Sequence, residues 1–402
     1  MEVAPGIAND AEAQISACNA GFNSQIAGGG TLASYQAALP GCALPDYNSV
    51  LGPVRNPRFL EWNVEIQHSL GQKTSLSINY VGNRGTDIFQ FNPWVNAAQG
   101  NYPLALGINL AGLPNTAPDA RVNNVSELAN SGRSYYNGIT LSVARRMTKG
   151  FQGSINYTYS HATDTVSNGG IDPYNPADSS LYLLSPNGAT NYSNADYDVR
   201  HNLTASYVWD LPFKSSNSVL NQVIGGWSLS GTFFARTGYP FSALDGFPTL
   251  LTKNSLNAPE ILGQWNGTGP TSCGKPGVDA SGNLIECMDS AGQFPDNWNG
   301  TLTHFSTTRR NFFRGPNYFN SDFDVLKRFK LTERVTFAAG ANFYNVFNHP
   351  NFANPNTDVN DIYAAPFGTV TSTAVGPTSI YGAFVGSAVS GRVVQLHARV
   401  EF

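Results

Sequence analysis

Residues 135–160 read YYNGITLSVARRMTKGFQGSINYTYS and contain two runs in which apolar and polar side chains alternate. In the first run, Ile139, Leu141 and Val143 alternate with Thr140 and Ser142. In the second run, the apolar face carries Phe151, Ile155, Tyr157 and Tyr159, and the other face is polar. A period of two is typical of a strand with one apolar and one polar face, and the few residues between the runs indicate a tight turn. The stretch therefore predicts a hairpin of two long antiparallel strands.

The same alternation recurs along the chain and predicts nine strands, four hairpins followed by a single last strand. The expected strands cover 59–70, 73–81, 135–145, 151–160, 198–209, 227–236, 318–329, 335–347 and 392–402. Most of them span about 9 to 12 residues, and a tilted strand needs about 9 to 11 residues to cross a bilayer. The predicted fold class is all-β.

The connections between the predicted strands alternate between short and long. Those within hairpins are mostly short turns, whereas the others cover 82–134, 161–197, 237–317 and 348–391. Short turns at one end and long loops at the other are typical of an outer-membrane barrel with periplasmic turns. This pattern predicts an antiparallel transmembrane β-barrel segment. A soluble β-sandwich is the alternative, because half-buried antiparallel strands also alternate.

The distribution of charged and aromatic residues favours the barrel. Arg200, Arg236 and Arg399 share the Ser- and Thr-rich face, where they avoid the cost of about 2 to 4 kcal/mol for an arginine facing lipid at the bilayer midplane. The apolar faces end in aromatic residues such as Trp209 and Trp227, as expected at the two membrane interfaces.

The composition excludes two other classes of protein. The chain has 402 residues, a formal net charge of −4 and only 12% charged residues, against about 25% in a typical soluble domain. No window approaches the ~20 apolar residues of a membrane-spanning helix, and no basic stripe offers a site for nucleic acid. Neither a helical membrane protein nor a nucleic-acid-binding protein is expected.

The number of predicted strands indicates an incomplete barrel, because single-chain bacterial barrels close with an even number of strands. The first residues, MEVAP, lack the features of a secretory signal. We therefore expect residues 59–402 to form the C-terminal part of a larger barrel. Residues 1–58 would be the extracellular loop region of an upstream hairpin.

The four cysteines fall into two pairs, each within one loop expected outside the membrane. Cys18 and Cys42 lie in the first loop, and Cys273 and Cys287 lie in the longest. Because the exterior is oxidising, we predict the disulfides Cys18–Cys42 and Cys273–Cys287. A zinc site of four thiolates is the alternative, but the spacings match no CxxC pattern.

No motif indicates catalysis. The six histidines form no spaced ligand pair, and no GxSxG or phosphate-binding glycine motif occurs. Asp196 and Asp198 fit the rim of a strand better than a catalytic pair. No enzyme activity, metal or cofactor is expected. The loop tryptophans Trp94, Trp265 and Trp298 are candidate ligand contacts, although ordinary solvated loops explain any one of them equally well.

Several longer stretches resemble the C-terminal barrel of Oar-like TonB-dependent outer-membrane receptors. They are SYYNGITLSVARRMTKGFQGSINYTYSHATD (134–164), DVRHNLTASYVWDLPF (198–213), GGWSLSGTFFARTGYPFS (225–242), DFDVLKRFKL (322–331) and NFYNVFNHPNF (342–352). The terminal Phe402 resembles the signal that the barrel-assembly machinery recognises. Full-length members carry a signal peptide, often a carboxypeptidase-regulatory-like sandwich, a plug and a barrel of about 22 strands.

The resemblance implies a receptor in the outer membrane of a Gram-negative bacterium. It would bind a large carbohydrate, peptide or chelate substrate at its extracellular loops and import it with energy from TonB. Its partners would be outer-membrane lipid, the barrel-assembly machinery and, through an N-terminal part that is not in this sequence, the TonB complex. A surface structural or adhesion protein anchored by the barrel is the alternative, and a secreted β-rich enzyme or lectin is a third hypothesis.

Overall fold

The computed structural model describes most of the chain. The described residues are 16–25, 27–40, 42, 47–98, 111–120, 122, 125–165, 183, 185–244, 262–274, 277–278, 284–298, 304–357, 359, 367–374 and 391–402.

Nine long strands form one antiparallel sheet, and each strand pairs with the next along the chain. They are β1 (Arg58–Leu70), β2 (Thr74–Asn92), β3 (Val125–Thr148), β4 (Phe151–Asp164), β5 (His201–Asp210), β6 (Trp227–Arg236), β7 (Tyr318–Lys330), β8 (Thr336–Tyr344) and β9 (Val393–Glu401). The predicted all-β fold class is confirmed. Among the described residues, β1 pairs in this ladder only with β2 and β9 only with β8, so the sheet is open.

The connections place short turns at one edge of the sheet and long segments at the other. The turn rim consists of residues 71–73, 149–150, 211–226 and 331–335, and the loop rim consists of 93–124, 165–200, 237–317 and 345–392. A meander of antiparallel strands brings all its odd connections to one edge and all its even ones to the other. The alternation of short and long connections therefore separates the two rims.

The two faces of the sheet differ in the chemistry of their side chains. Leu60, Ile66 and Leu396 lie on the outer face and are 64%, 66% and 79% exposed. On the inner face, polar side chains bond across neighbouring strands, with 2.9 Å between Thr140 Oγ1 and Thr158 Oγ1. These pairs stabilise a polar interior while the apolar face points outward.

Strands β2 and β3 are longer than their alternation predicts. The expected end of β2 is residue 81, but pairing continues to Asn92, with irregularities between Gly85 and Gln90. Asp87 adopts a φ of 57° within this segment. Most of this extension lies beyond the region in which β3 pairs with β4. Its buried residues include the polar Gln90 and Ser126, so apolar-polar alternation does not mark it. The short strand Tyr47–Val50 pairs in parallel with the start of β3.

Strand β8 is shorter than predicted. It ends at Tyr344 rather than at residue 347, because Asn345 and Asn348 adopt φ values of 49° and 53°. Asparagine tolerates this left-handed conformation better than most residues, and it ends the extended run.

Short helices occur at both rims. Leu32–Ala38 begins after Thr31, whose side chain accepts a hydrogen bond from Ser34 N. The rim helix, Ser218–Ile224, lies in the connection between β5 and β6 and is capped by Asn217. No helix in the described part of the chain is long and apolar enough to cross a membrane.

Candidate binding site at the loop rim

The long connections pack against one another and form a loop assembly with its own hydrophobic core. This core is contributed by 237–317 together with the connection that follows β8, and its members have at most 3% of their surface exposed. They are Phe241, Ala243, Met288, Phe294, Phe313, Val359 and Phe367. The rings of Phe294 and Phe367 meet edge-on, with centroids 4.9 Å apart. The loop assembly is thus a packed body rather than a set of separate loops.

A disulfide joins Cys273 to Cys287 at the border of this core. The backbone N–H of Cys287 donates to the carbonyl oxygen of Gly368 over 2.9 Å, so the disulfide-closed segment is tied to the connection after β8. The second disulfide joins Cys18 to Cys42 in the N-terminal region. No free cysteine occurs in the described chain.

Buried charges tie the loop assembly to the end of β4. Arg310 has no exposed side-chain surface and forms an ion pair with Asp164, the last residue of β4. Its Nη1 lies 3.9 Å from Oδ1 of Asp196, which also accepts a hydrogen bond from Asn311 Nδ2 over 2.6 Å. Desolvated charges are costly unless they are paired, so this network fixes the segment around Arg310 against the end of β4.

A second group of charges surrounds Asp198. Its carboxylate accepts from Arg200 Nε over 2.9 Å and from Arg314 Nη2, and it is fully buried. Its other oxygen accepts from the backbone N–H of Ala162. Burial lowers the pKa of the Arg314 guanidinium, and the hydrogen bond to Asp198 opposes that shift. Asp196 and Asp198 therefore hold loops in place, as their interpretation as rim residues suggests.

A cavity of about 920 Å³ opens between the loop assembly and the upper ends of β3 and β4. Four aromatic side chains form part of its wall: Tyr135, Tyr192, Trp265 and Phe312. The Tyr135 and Tyr192 rings meet edge-on at 6.3 Å, and the Trp265 and Phe312 centroids are 5.1 Å apart.

The remainder of the cavity lining is polar or cationic. It includes Asn137, His161, Thr163, Asn194, Asn266 and Arg309. No carboxylate belongs to the lining among the described residues. Ring faces beside amides, hydroxyls and a guanidinium can stack on a flat or cyclic ligand and bond to its polar edge.

The three candidate tryptophans have different environments. Trp265 lines the cavity, and its indole N–H donates to the carbonyl oxygen of Thr268 over 2.7 Å. Trp94 is only 4% exposed, donates to the carbonyl oxygen of Leu183 and packs edge-on against Phe305. Trp94 therefore packs inside the loop assembly and does not line the cavity. Trp298 ends the short helix Pro295–Trp298, and its side chain lies outside the described part of the structure.

The local sequence pattern does not mark most of the aromatic residues that line the cavity. Tyr135 and Tyr192 carry no spacing signal, since nothing in their local pattern shows that β3 and the 165–200 connection meet. One signal was available in residues 309–314, RRNFFR, which place three arginines beside two phenylalanines in a chain with only 12% charged residues. The structure brings Arg309 and Phe312 to the cavity and Arg310 and Phe313 to the interior.

A second cavity, of about 880 Å³, lies along the concave inner face of the sheet near the turn rim. Its lining includes Ser154, Ser206, Asp322 and Asp324, and it is the polar lumen enclosed by the curved strands. Four aromatic residues also belong to its lining: Tyr207, Phe323, Phe343 and Tyr344. No group of three or more His, Cys, Asp or Glu residues in the described chain could hold a metal ion.

Solved structures with detectable similarity include outer-membrane transporters and receptors. The outer membrane transporter YddB from Escherichia coli has a TM-score of 0.40 and 11% identity, over 88% of this chain and 34% of its own length. The ferripyoverdine receptor of Pseudomonas aeruginosa, bound to ferripyoverdine, has a TM-score of 0.34 and 10% identity, over 77% and 26%. The FrpB iron transporter from Neisseria meningitidis has a TM-score of 0.34 and 14% identity, over 88% and 32%.

This chain therefore spans between 26% and 34% of the length of these proteins. No curated protein matches it. The family described as outer membrane beta barrel domain matches residues 5–395, which is nearly the whole chain. The chain belongs to the outer membrane beta barrel domain family.

Proposed function

We propose that this chain is the C-terminal part of the barrel of an Oar-like TonB-dependent receptor in the outer membrane of a Gram-negative bacterium. The receptor would bind a large substrate at the loop rim for energised import. The observation that carries this proposal is the aromatic cavity between the loop assembly and the tops of β3 and β4. No catalytic role is proposed for it.

The position of the cavity fits the proposed orientation. Outer-membrane barrels place short turns in the periplasm and long loops outside the cell. The loop rim would then face the medium, and the cavity would be reached from outside. Its volume of about 920 Å³ is at the upper end of the ~300–1,000 Å³ usual for ligand pockets.

The chemistry of the cavity favours a ligand with flat or ring-shaped parts. Trp265 and Tyr192 contribute aromatic side chains to its wall, while Asn266 and Thr308 add polar groups. Arg309 and the lack of a lining carboxylate among the described residues favour a neutral or anionic ligand. A carbohydrate, a peptide or a chelate with such groups fits this description.

The open sheet supports the proposed division of the chain. Unpaired strand edges within a bilayer leave backbone groups without partners, at a cost of several kcal/mol each. We propose that β1 and β9 pair with further strands, so that residues 59–402 complete a larger barrel and residues 1–58 belong to the external loops. Phe402, which is 99% exposed beyond β9, would be read by the barrel-assembly machinery, and TonB would act through a part outside this sequence.

A surface structural or adhesion protein is the second candidate. The observation that favours it is the hydrophobic core of the loop assembly, because a preformed outer body suits a display role as well as a receptor. TonB-dependent import of the bound ligand distinguishes the two hypotheses. A receptor would import its ligand, whereas an adhesin would bind its target without TonB and without import.

The test uses the intact protein in outer membranes of cells with and without functional TonB. A panel of oligosaccharides, peptides and chelates is first screened for a compound that the protein binds. Trp265→Ala and Tyr192→Ala should each weaken binding of that compound. Each 1.4 kcal/mol of binding free energy that is lost lowers the affinity about tenfold. Phe213→Ala, at the exposed opposite rim, is the matched control. TonB-dependent uptake would support the receptor, binding without TonB-dependent uptake would support the adhesin, and unchanged binding in both cavity variants would exclude this cavity.

A further inference from the structure

The carboxyl end of the rim helix contacts the outer, apolar face of the sheet at the turn rim. Lys327 lies on β7 opposite Trp227 of β6, on the same face as Val325 and Phe329. The indole N–H of Trp227 donates to the carbonyl oxygen of Val223 in the rim helix over 3.0 Å. These contacts place the helix on the lipid-facing side of the sheet, beside the ends of β6 and β7.

The carboxyl end of the rim helix binds a lysine that would otherwise face lipid. The ammonium of Lys327 donates to the carbonyl oxygens of Val223, over 3.1 Å, and Gly225. It also lies 5.1 Å from the Trp227 ring centroid and 5.2 Å from that of Phe329. Lys327 is only 5% exposed. A cation at the carboxyl end of a helix is stabilised by the carbonyl groups that the helix leaves without intrahelical partners.

Three apolar side chains of the rim helix are exposed. Val219, Leu220 and Val223 are 75%, 48% and 64% exposed, and Phe213, just before the helix, is 55% exposed. The helix makes no contact that would hide these side chains within the described chain. Their exposure continues the apolar outer face of the strands, which includes Trp209.

Two exposed lysines lie near the ends of this apolar surface. Lys214 precedes the helix, and Lys330 ends β7, where its carbonyl oxygen accepts from Gln222 Nε2 over 3.4 Å. Both lysines are exposed. Apolar side chains between lysines are typical of a segment that lies at a bilayer surface, with its cations near lipid phosphates.

We propose that the rim helix is a membrane anchor that lies in the periplasmic-leaflet interface. It inserts Val219, Leu220 and Val223 among phospholipid chains, while Lys327 holds its carboxyl end against the sheet. The occupant of the exposed surface is phospholipid, because that surface is continuous with the outer face of a membrane barrel and is flanked by cations. This anchoring is independent of substrate import.

The first experiment measures the depth of the helix in the bilayer. Val219→Cys and, as a matched control, Gln72→Cys in the β1–β2 turn are spin-labelled in the intact protein. Each is reconstituted into vesicles of phosphatidylethanolamine and phosphatidylglycerol, and collision rates with oxygen and a water-soluble nickel chelate are recorded. The label at 219 should meet oxygen more and the chelate less than the label at 72.

Equal chelate accessibility at the two positions would overturn the proposal. Dipolar coupling between labels at position 219 of two molecules would also overturn it, if the coupling disappears when unlabelled protein is added. Such coupling would mean that the exposed surface binds a second copy of the chain and not phospholipid. Correct folding of each labelled protein is checked by its heat-dependent migration on a gel. The label itself replaces an exposed side chain, so folding should be preserved.

The second experiment tests the role of Lys327. Lys327→Met removes the ammonium but keeps a long apolar side chain next to Trp227. The label at 219 should become more mobile and more accessible to the chelate, while the migration of the folded barrel stays the same. Unchanged mobility and depth at 219 in a folded Lys327→Met protein would refute the holding role of the lysine.

Discussion

Arg310 and Asp164 form an ion pair that is enclosed by protein, although they lie 146 residues apart in the chain. Arg310 also donates to the carbonyl oxygens of Asn191 and Asp164. The pair connects the longest loop-rim segment to the last residue of β4. The loop assembly is thereby fixed to the sheet by a charge contact as well as by the covalent connections.

Removal of the guanidinium should loosen the loop assembly without dissolving the sheet. Arg310→Met leaves the Asp164 carboxylate buried without its main partner, and such a loss costs about 3 to 5 kcal/mol. We expect rapid cleavage of the loop rim by an added protease, while the membrane strands remain protected. The readout is the pattern of fragments from the intact protein in membranes.

Arg399→Gln provides the matched control for that variant. Arg399 pairs with Glu401 over 2.7 Å, but both side chains are largely exposed, and such pairs contribute about 0 to 1 kcal/mol. Its cleavage pattern should match that of the unaltered protein. If Arg310→Met were cleaved no faster than Arg399→Gln, the buried pair would not be what holds the loop assembly.

The contrast between strands and loops explains what could be predicted from the sequence. Strand residues such as Ile139, Leu141 and Val143 face an apolar environment at every second position, so their local pattern reveals both structure and orientation. The Arg310–Asp164 contact leaves no local pattern, because each partner is selected by a distant segment. Trp94 and Trp265 look alike in the sequence, yet only the packing of several connections buries one and leaves the other at the cavity.

Loss of the Cys273–Cys287 disulfide should destabilise the middle of the loop assembly. Its residues are separated by 14 positions, and closing a loop of that size contributes about 3 kcal/mol in the chain-entropy model. In the Cys273→Ser, Cys287→Ser protein we expect faster amide hydrogen exchange in residues 284–298. Mass spectrometry of the intact protein measures this exchange.

The other disulfide serves as the comparison. Cys18→Ser with Cys42→Ser should speed exchange in the N-terminal region and leave residues 284–298 unchanged, because Cys18 and Cys42 lie outside the core of the loop assembly. Equal effects of both double variants on residues 284–298 would contradict a local role for Cys273–Cys287.

Gly238 permits a close approach between the two ends of the 237–317 connection. A Cβ at this position would lie 1.8 Å from the carbonyl oxygen of Gly315, and the backbone N–H of Gly238 donates to Asn317 Oδ1 over 3.1 Å. Gly238→Ala must therefore displace backbone, and overpacking of this kind costs about 1 to 3 kcal/mol. The unfolding temperature of the protein should fall.

Gly274→Ala is the control, because nothing lies within 4 Å of the added Cβ. This variant should leave the unfolding temperature nearly unchanged. Equal unfolding temperatures for the two variants would contradict the steric argument.

The orientation of the two faces of the sheet predicts that the same substitution destabilises the protein to different extents at neighbouring positions of β3. Leu141 pairs with Ile78 and Tyr157 on the apolar outer face and is 42% exposed, whereas Ser142 pairs with Ser77 and Asn156 on the polar inner face. Leu141→Arg places a guanidinium against lipid chains, which costs about 2 to 4 kcal/mol at the bilayer midplane. Ser142→Arg places the same group on the polar inner face and should cost much less. Reversible denaturant titration of the intact protein in phospholipid vesicles measures both free energies of folding, and a loss at position 142 as large as that at 141 would mean that the outer face does not contact lipid.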